Sequence, residues 1–193
     1  MRWTVRRKLA FGFGAIVALV AVSGVVGYIN ATGFMAYQKR VVFRTVVARD
    51  AYDTLTALNY CQTAIRNYAE AVYNPAVAPG LKNNLMTLGW ARIAEGTRKI
   101  KEKSPNLRSD EQRKLVAALA EDAAAYLAEQ AEEVQLTETD AEGQSKLLQK
   151  LSSAEAMANS LKASNDVSRL IESLKKEEET EDIAAAASGS RAV

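Results

Sequence analysis

Polar positions all but vanish near the start of the chain. No charged residue occurs between Lys8 and Lys39, and Leu9–Ile29 is almost wholly apolar. As a helix, that stretch rises about 31 Å, the thickness of a hydrocarbon core. Residues 9–29 are therefore expected to form a transmembrane helix, with Trp3 and Tyr28 at its two interfaces. Arg2, Arg6, Arg7 and Lys8 precede it, which predicts residues 1–8 in the cytoplasm and everything after about Asn30 outside. In a bacterial inner membrane the bulk of the chain is then periplasmic. The competing reading is a cleaved signal peptide. Its apolar part normally runs roughly 7–15 residues to an A-x-A-like site, and "VSGVVGYINATG" offers only a poor one.

Beyond the membrane segment the pattern becomes heptad-like. Ala48, Ala51, Leu55, Leu58, Gln62, Ile65, Ala69 and Val72 recur at alternating spacings of three and four, the inner stripe of packed helices. Asn74-Pro75 ends this first helix, since proline removes a donor and disfavours helix before it, and "NPAVAPG" reads as a loop. A second helix is expected over 81–103, with Met86, Gly89, Ile93, Gly96 and Ile100 inside. Each internal glycine costs about 1 kcal/mol against alanine. Either close packing compensates or this helix is soft, and the sequence favours soft.

The third helix is expected over 109–141, opened by Ser109 and Gln112 as a capping box with Asp110 and Glu111 in the first turn. Its inner stripe is Val116, Leu119, Ala123, Tyr126 and Gln130. Gly143 marks a turn into a fourth helix over 143–190. Leu147, Leu151, Ala154, Ala158 and Leu161 line that helix, and the stripe then slips through Ser164 and Val167 to Ile171 and Leu174.

The first and last helices, about 30–73 and 143–190, would each rise roughly 65–72 Å, and the middle two are shorter. The predicted fold is all-α: an N-terminal transmembrane helix continuing into an antiparallel up-down-up-down four-helix bundle over 30–190. A rod-like coiled-coil dimer is the alternative, which the three chain breaks oppose.

Composition narrows the chemistry. Three prolines and ten glycines in 193 residues agree with helix. The net charge is +2, of which residues 1–8 supply +4, so the remainder is slightly acidic. That balance gives no electrostatic case for nucleic acid. With no histidine and a single cysteine, neither an internal disulfide nor the usual zinc or haem site is expected. No carboxylate pair suggests acid–base catalysis. The expectation is a non-enzyme without cofactor or metal.

The segment "RRKLAFGFGAIVALVAVSGVVGYI" resembles the N-terminal transmembrane helix of bacterial methyl-accepting chemotaxis proteins. "ALNYCQTAIRNYAEAVYNP" resembles the first helix of their periplasmic four-helix-bundle sensor domains, the CHASE3 type included. The resemblance implies Arg66 and Tyr68 as ligand-site positions, and a homodimer. It also implies a second transmembrane helix, a HAMP linker and a cytoplasmic coiled coil after the bundle. The chain ends at Val193 with "AAAASGSRAV", where 191–193 read as the approach to that second span in a truncated chain.

Placed on the heptad, Asn59, Arg66 and Tyr73 share one flank with Tyr52. Thr54, Cys61 and Tyr68 share the other, Tyr60 and Asn67 face outward, and Gln62 is inside. The ligand-site candidates are Asn59, Arg66, Tyr68 and Tyr73. Arg66 offers a planar fork to an anionic ligand such as a small carboxylate; alternatively it pairs with Glu129, Glu132 or Glu133. Gln62 either fixes register or lines a cavity. Tyr60 and Cys61 are candidate dimer contacts, Cys61 being otherwise a small buried filler. The basic run from Arg98 to Lys114 reads as a solvated turn.

The expected function is a membrane-anchored ligand-sensing module of a chemotaxis-type receptor, acting on a small anionic ligand or on a binding protein. The alternatives are a membrane-tethered helical scaffold and the sensor region of a histidine kinase or diguanylate cyclase.

Overall fold

The computed structural model describes residues 5–139, 142–151 and 158–189. Its elements are α1 (Val5–Ala71), α2 (Ala78–Asn84), a π-helical turn (Leu85–Trp90) and α3 (Ala91–Lys103). A 3-10 turn (Ser104–Asn106), α4 (Asp110–Thr139), α5 (Gly143–Leu151) and α6 (Ala158–Gly189) complete it. The fold is all-helical, with no strand among the described residues. Trp3, Ala154 and the expected end at 190–193 lie outside those residues. The chain divides into two units, Met1–Phe43 and Arg44–Val193.

In the first unit the helix runs without a break through residues 29 and 30, where the membrane segment was expected to continue into the first bundle helix. Its apolar side chains stand outward: Phe13, Leu19, Tyr28 and Phe34 are all more than half exposed. Among the described residues α1 is the one helix long and apolar enough to cross a membrane.

In the second unit, pairs of side chains fix the register of the helices. Lys103 Nζ lies 2.7 Å from Asp50 Oδ2, Thr54 meets Gly96 and Cys61 meets Gly89, so α1 and α3 run antiparallel. Arg44 with Glu181 (2.8 Å) and Gln62 with Ser160 (2.6 Å) set α6 antiparallel to α1. Glu129 with Asn159 (2.9 Å) and Gln112 with Glu177 (3.0 Å) do the same for α4 and α6. Trp90 with Gln130 and Lys82 with Glu138 join the second helical stretch to α4.

The buried face of α1 is turned from the expected one. Thr54, Cys61 and Tyr68 are buried with Ala51, Leu58 and Ile65, whereas Leu55 is half-buried and Gln62 is exposed. The physical reason lies in the second helical stretch. A Cβ placed on Gly89 would overlap Cys61 Sγ, and one on Gly96 would overlap Thr54 Oγ1. The glycines admit the Thr54–Cys61 side of α1 at close range, and that rotation carries Gln62 out. Close packing, rather than softness, explains these glycines.

The helical stretch begins at Ala78, with Pro79 in its first turn where a missing N–H costs nothing. The π-helical turn then shifts the inner stripe by one residue, because its wider i→i+5 turn advances more residues per revolution. Leu85 is buried in place of the expected Met86.

On α4 the expected stripe Val116, Leu119, Ala123, Tyr126 and Gln130 is buried throughout. Ser109 Oγ accepts from Glu111 N at 3.2 Å, but Gln112 does not complete a capping box. It is buried and donates to Ser173 and Glu177 on α6. On α6 the buried stripe is Ser160, Ala163, Val167, Leu170 and Leu174, an uninterrupted heptad that leaves Leu161 exposed. The expected slip disappears because the stripe starts one residue earlier. The basic run Arg98–Lys114 is only partly solvated, since Lys103 and Arg108 reach Asp50 and Glu181 on neighbouring helices.

Candidate functional site

Near the middle of the second unit a cleft of about 300 Å³ opens between α1, α4, the end of α5 and the start of α6. Gln62, Thr63, Ile65 and Arg66 line it from α1, Tyr126 and Gln130 from α4, and Leu151 and Ser160 from the last two. Its inner wall is a chain of hydrogen bonds. Trp90 Nε1 donates to Gln130 Oε1 (2.9 Å), and Gln130 Nε2 donates to the Tyr126 hydroxyl (2.8 Å). Gln62 Nε2 donates to Ser160 Oγ (2.6 Å). Tyr126, Gln130 and Ser160 are all buried, and burial raises the Tyr126 phenol above its ordinary range, keeping it neutral. The wall offers hydroxyl and amide groups without charge.

The charge sits at the rim. Arg66 is exposed and makes no ion pair or hydrogen bond among the described residues. Two of the three carboxylates expected to neutralise it, Glu129 and Glu133, are engaged elsewhere. Lys150 Nζ of α5 lies 2.7 Å from Glu133 and 3.4 Å from Glu129, and Glu129 also accepts from Asn159. Lys150 is held charged chiefly by Glu133, while burial raises the Glu133 carboxyl despite that partner. The structural ion pair foreseen for Arg66 is thus made by Lys150 instead.

The other sequence candidates do not join Arg66. Tyr68, two residues on, points about 200° away around the helix. It is buried, and its hydroxyl donates to Glu138 Oε1 at 2.6 Å. Lys82 Nζ holds both oxygens of Glu138 at 2.8 and 2.9 Å. Lys82, followed by the Tyr68 hydroxyl, lowers the Glu138 carboxyl below its usual range. Tyr73 lies two turns beyond Arg66, about 10 Å along the axis. It lines a separate recess of about 320 Å³ with Tyr68, Pro75, Pro79 and Lys82. Asn59 is exposed and lines neither space.

Of the two candidate dimer contacts, Tyr60 is 37% exposed and Cys61 fully buried. Burial pushes the Cys61 thiol up to about 12, and its sulfur faces Gly89. It is the small filler, with no sulfur presented for a disulfide to a second copy. Among the described residues no three metal-binding side chains converge.

The helix pattern does not single out Gln130, Tyr126 and Ser160 as a site. Gln130 on an otherwise apolar stripe was the one visible signal, because a buried amide needs partners. What the cleft can do is recognise: a guanidinium fork at its mouth and neutral donors and acceptors within. Comparison of the chain with protein-family models, with curated proteins and with solved structures finds no match.

Proposed function

We propose that the chain is the membrane-anchored ligand-sensing module of a chemotaxis-type transmembrane receptor, working as a homodimer, with its N-terminus cytoplasmic and its second unit periplasmic. The helix pairings above support an up-down-up-down four-helix bundle in that unit. The observation that carries the reading is Arg66: a cation that makes no ion pair among the described residues, at the mouth of a neutral polar cleft.

A small carboxylate fits those groups, with its oxygens on the guanidinium fork and its polar substituents on Gln62, Ser160 and Tyr126. Those side chains belong to α1, α6 and α4. A ligand touching all three favours whichever helix arrangement brings them together, and helix shifts of about 1–2 Å are one form that such a switch takes. The test is a thermal-shift screen of the full chain in detergent against small mono- and dicarboxylates and amino acids. A stabilising ligand whose effect disappears in Arg66→Ala supports the site. A ligand that stabilises Arg66→Ala equally removes Arg66 as a contact.

A second reading, a tethered scaffold for another protein, draws on the exposed ring of Tyr60 beside an open groove. It predicts no stabilisation by any metabolite in the same screen.

A further inference from the structure

The hydrogen bonds in the wall of the Arg66 cleft run in a fixed direction. Trp90 ends the π-helical turn and does not itself line the cleft. Its indole N–H can only donate. That donor meets Gln130 Oε1 at 2.9 Å and so fixes which end of the buried amide points onward. Gln130 Nε2 then donates to the Tyr126 hydroxyl at 2.8 Å. From the α1 side, Gln62 Nε2 donates to Ser160 Oγ at 2.6 Å. Both hydroxyls are acceptors before any ligand arrives.

The groups that remain decide what the wall complements. Two hydroxyls bring two hydrogens and four lone pairs, and the two amides take one lone pair from each. Ser160 and Tyr126 also hydrogen-bond to one another, which uses one hydrogen and one more lone pair. One O–H hydrogen is left over; without that link there would be two. Among the described residues no acceptor takes it, and both side chains are buried and line the cleft, so it is offered to a ligand. A hydroxyl or carbonyl oxygen accepts it. An ammonium has three donors and no acceptor, and a methyl group has neither, so each leaves a buried donor unpaired at a cost. The competing pull on an ammonium is that of Glu129 and Glu133, whose charge reaches the Tyr126 hydroxyl. Lys150 pairs with both acids, which leaves the hydrogen-bond count to decide. Arg66 lies one turn, about 6 Å, along α1 from Gln62, a separation that a four-carbon acid spans from its carboxylate to its far end.

We infer that Trp90, acting through Gln130 and Tyr126, sets the cleft to take a carboxylate with an uncharged hydroxyl or carbonyl oxygen at its far end, in preference to the amino acid of the same length. The inference rests on the reading of Arg66 given above and adds the other end of the ligand. Trp90 is a positioning residue. Without its indole N–H the Gln130 amide is free to turn, and its oxygen then accepts from Tyr126. No hydroxyl hydrogen is left over in that arrangement, and the two lone pairs that remain suit an ammonium.

The experiment is equilibrium dialysis of the full chain in detergent against radiolabelled 4-hydroxybutanoate, 4-aminobutanoate and pentanoate, which share a carboxylate and differ at the far end. The unaltered chain should bind the hydroxy acid at least about fivefold more tightly than either of the others. In Trp90→Phe, with folding checked by circular dichroism, the preference over 4-aminobutanoate should vanish or invert. If that variant does not fold, the preference of the unaltered chain decides the ligand class by itself. 4-Aminobutanoate or pentanoate bound as tightly as the hydroxy acid by the unaltered chain overturns the inference and leaves Arg66 in place as the carboxylate contact. A preference unchanged in a folded Trp90→Phe overturns the role of Trp90. If none of the three binds, the inference fails, and the reading of Arg66 stands or falls on the wider carboxylate screen. Binding that persists undiminished in Arg66→Ala overturns the inference and that reading together.

Discussion

Gly96→Ala separates a tightly packed α1–α3 contact from a merely flexible helix. On helix propensity alone the exchange stabilises by about 1 kcal/mol. In the folded chain the new methyl overlaps Thr54 Oγ1 and lies 3.3 Å from Thr54 Cβ and 3.6 Å from its Cα. Thr54 is fully buried, and its hydroxyl donates to the Asp50 carbonyl at 2.7 Å. It cannot step aside without giving up that bond, worth about 0.5–1.5 kcal/mol, or moving α1. Overpacking of this kind costs about 1–3 kcal/mol. The two opposed effects leave Gly96→Ala less stable by up to about 2 kcal/mol, read from denaturant unfolding of the full chain in detergent. Removing the obstacle should reverse the sign of the interaction: Thr54→Ala with Gly96→Ala should be more stable than the two single effects combined, by about 1–2 kcal/mol. A Gly96→Ala chain that gains about 1 kcal/mol and shows no coupling to Thr54 would refute the close contact.

Three further outcomes follow from buried groups. Tyr68→Phe deletes a hydrogen bond to an ionised carboxylate and should cost about 1.5–3 kcal/mol at neutral pH. Because the Glu138 carboxyl is lowered on folding, that contribution is present above its unfolded value and lost as the pH falls through the folded one. The gap between Tyr68→Phe and the unaltered chain should therefore narrow in acid unfolding curves. Glu133→Gln has the opposite pH dependence. Folding raises the Glu133 carboxyl, so its charged form weighs against the native state once the pH exceeds the ordinary carboxylate value. The variant should melt higher than the unaltered chain at neutral pH, with the advantage vanishing in acid; a lower melting temperature at neutral pH would mean the Lys150 pairing outweighs burial. Cys61, buried with its thiol raised to about 12, should react with a thiol reagent only after denaturant unfolds the chain. Prompt labelling of the native chain would contradict its placement against Gly89.

The helices were legible because proline, glycine and apolar spacing are local signals. Asn74-Pro75 stops α1 as expected, and the α4 stripe from Val116 to Gln130 is buried residue for residue. What failed was the angle at which a helix presents itself. On α1 the line Ala48, Leu55, Gln62 and the line Thr54, Cys61, Tyr68 differ little in bulk or polarity, so periodicity alone does not choose between them. The choice is made by Gly89 and Gly96, whose meaning as sites of close approach exists only once the facing helix is in place. The same limit governs the cleft. Arg66 was visible as an isolated cation, but the fate of its expected partners turned on Lys150, which reaches Glu133 from beyond the Gly143 turn. Tyr68 and Tyr73 looked like companions of Arg66 in a string of letters. Helical rotation separates the first from it, and axial rise the second.

On the proposed function, Arg66 anchors an anionic ligand in the cleft of the second unit. Its most direct measurement is a calorimetric titration of a stabilising carboxylate into the full chain, into Arg66→Ala and into Gln62→Ala. One site per chain is expected, with affinity lost in Arg66→Ala and reduced about tenfold in Gln62→Ala, the worth of one hydrogen bond. Unchanged affinity in Arg66→Ala would contradict it.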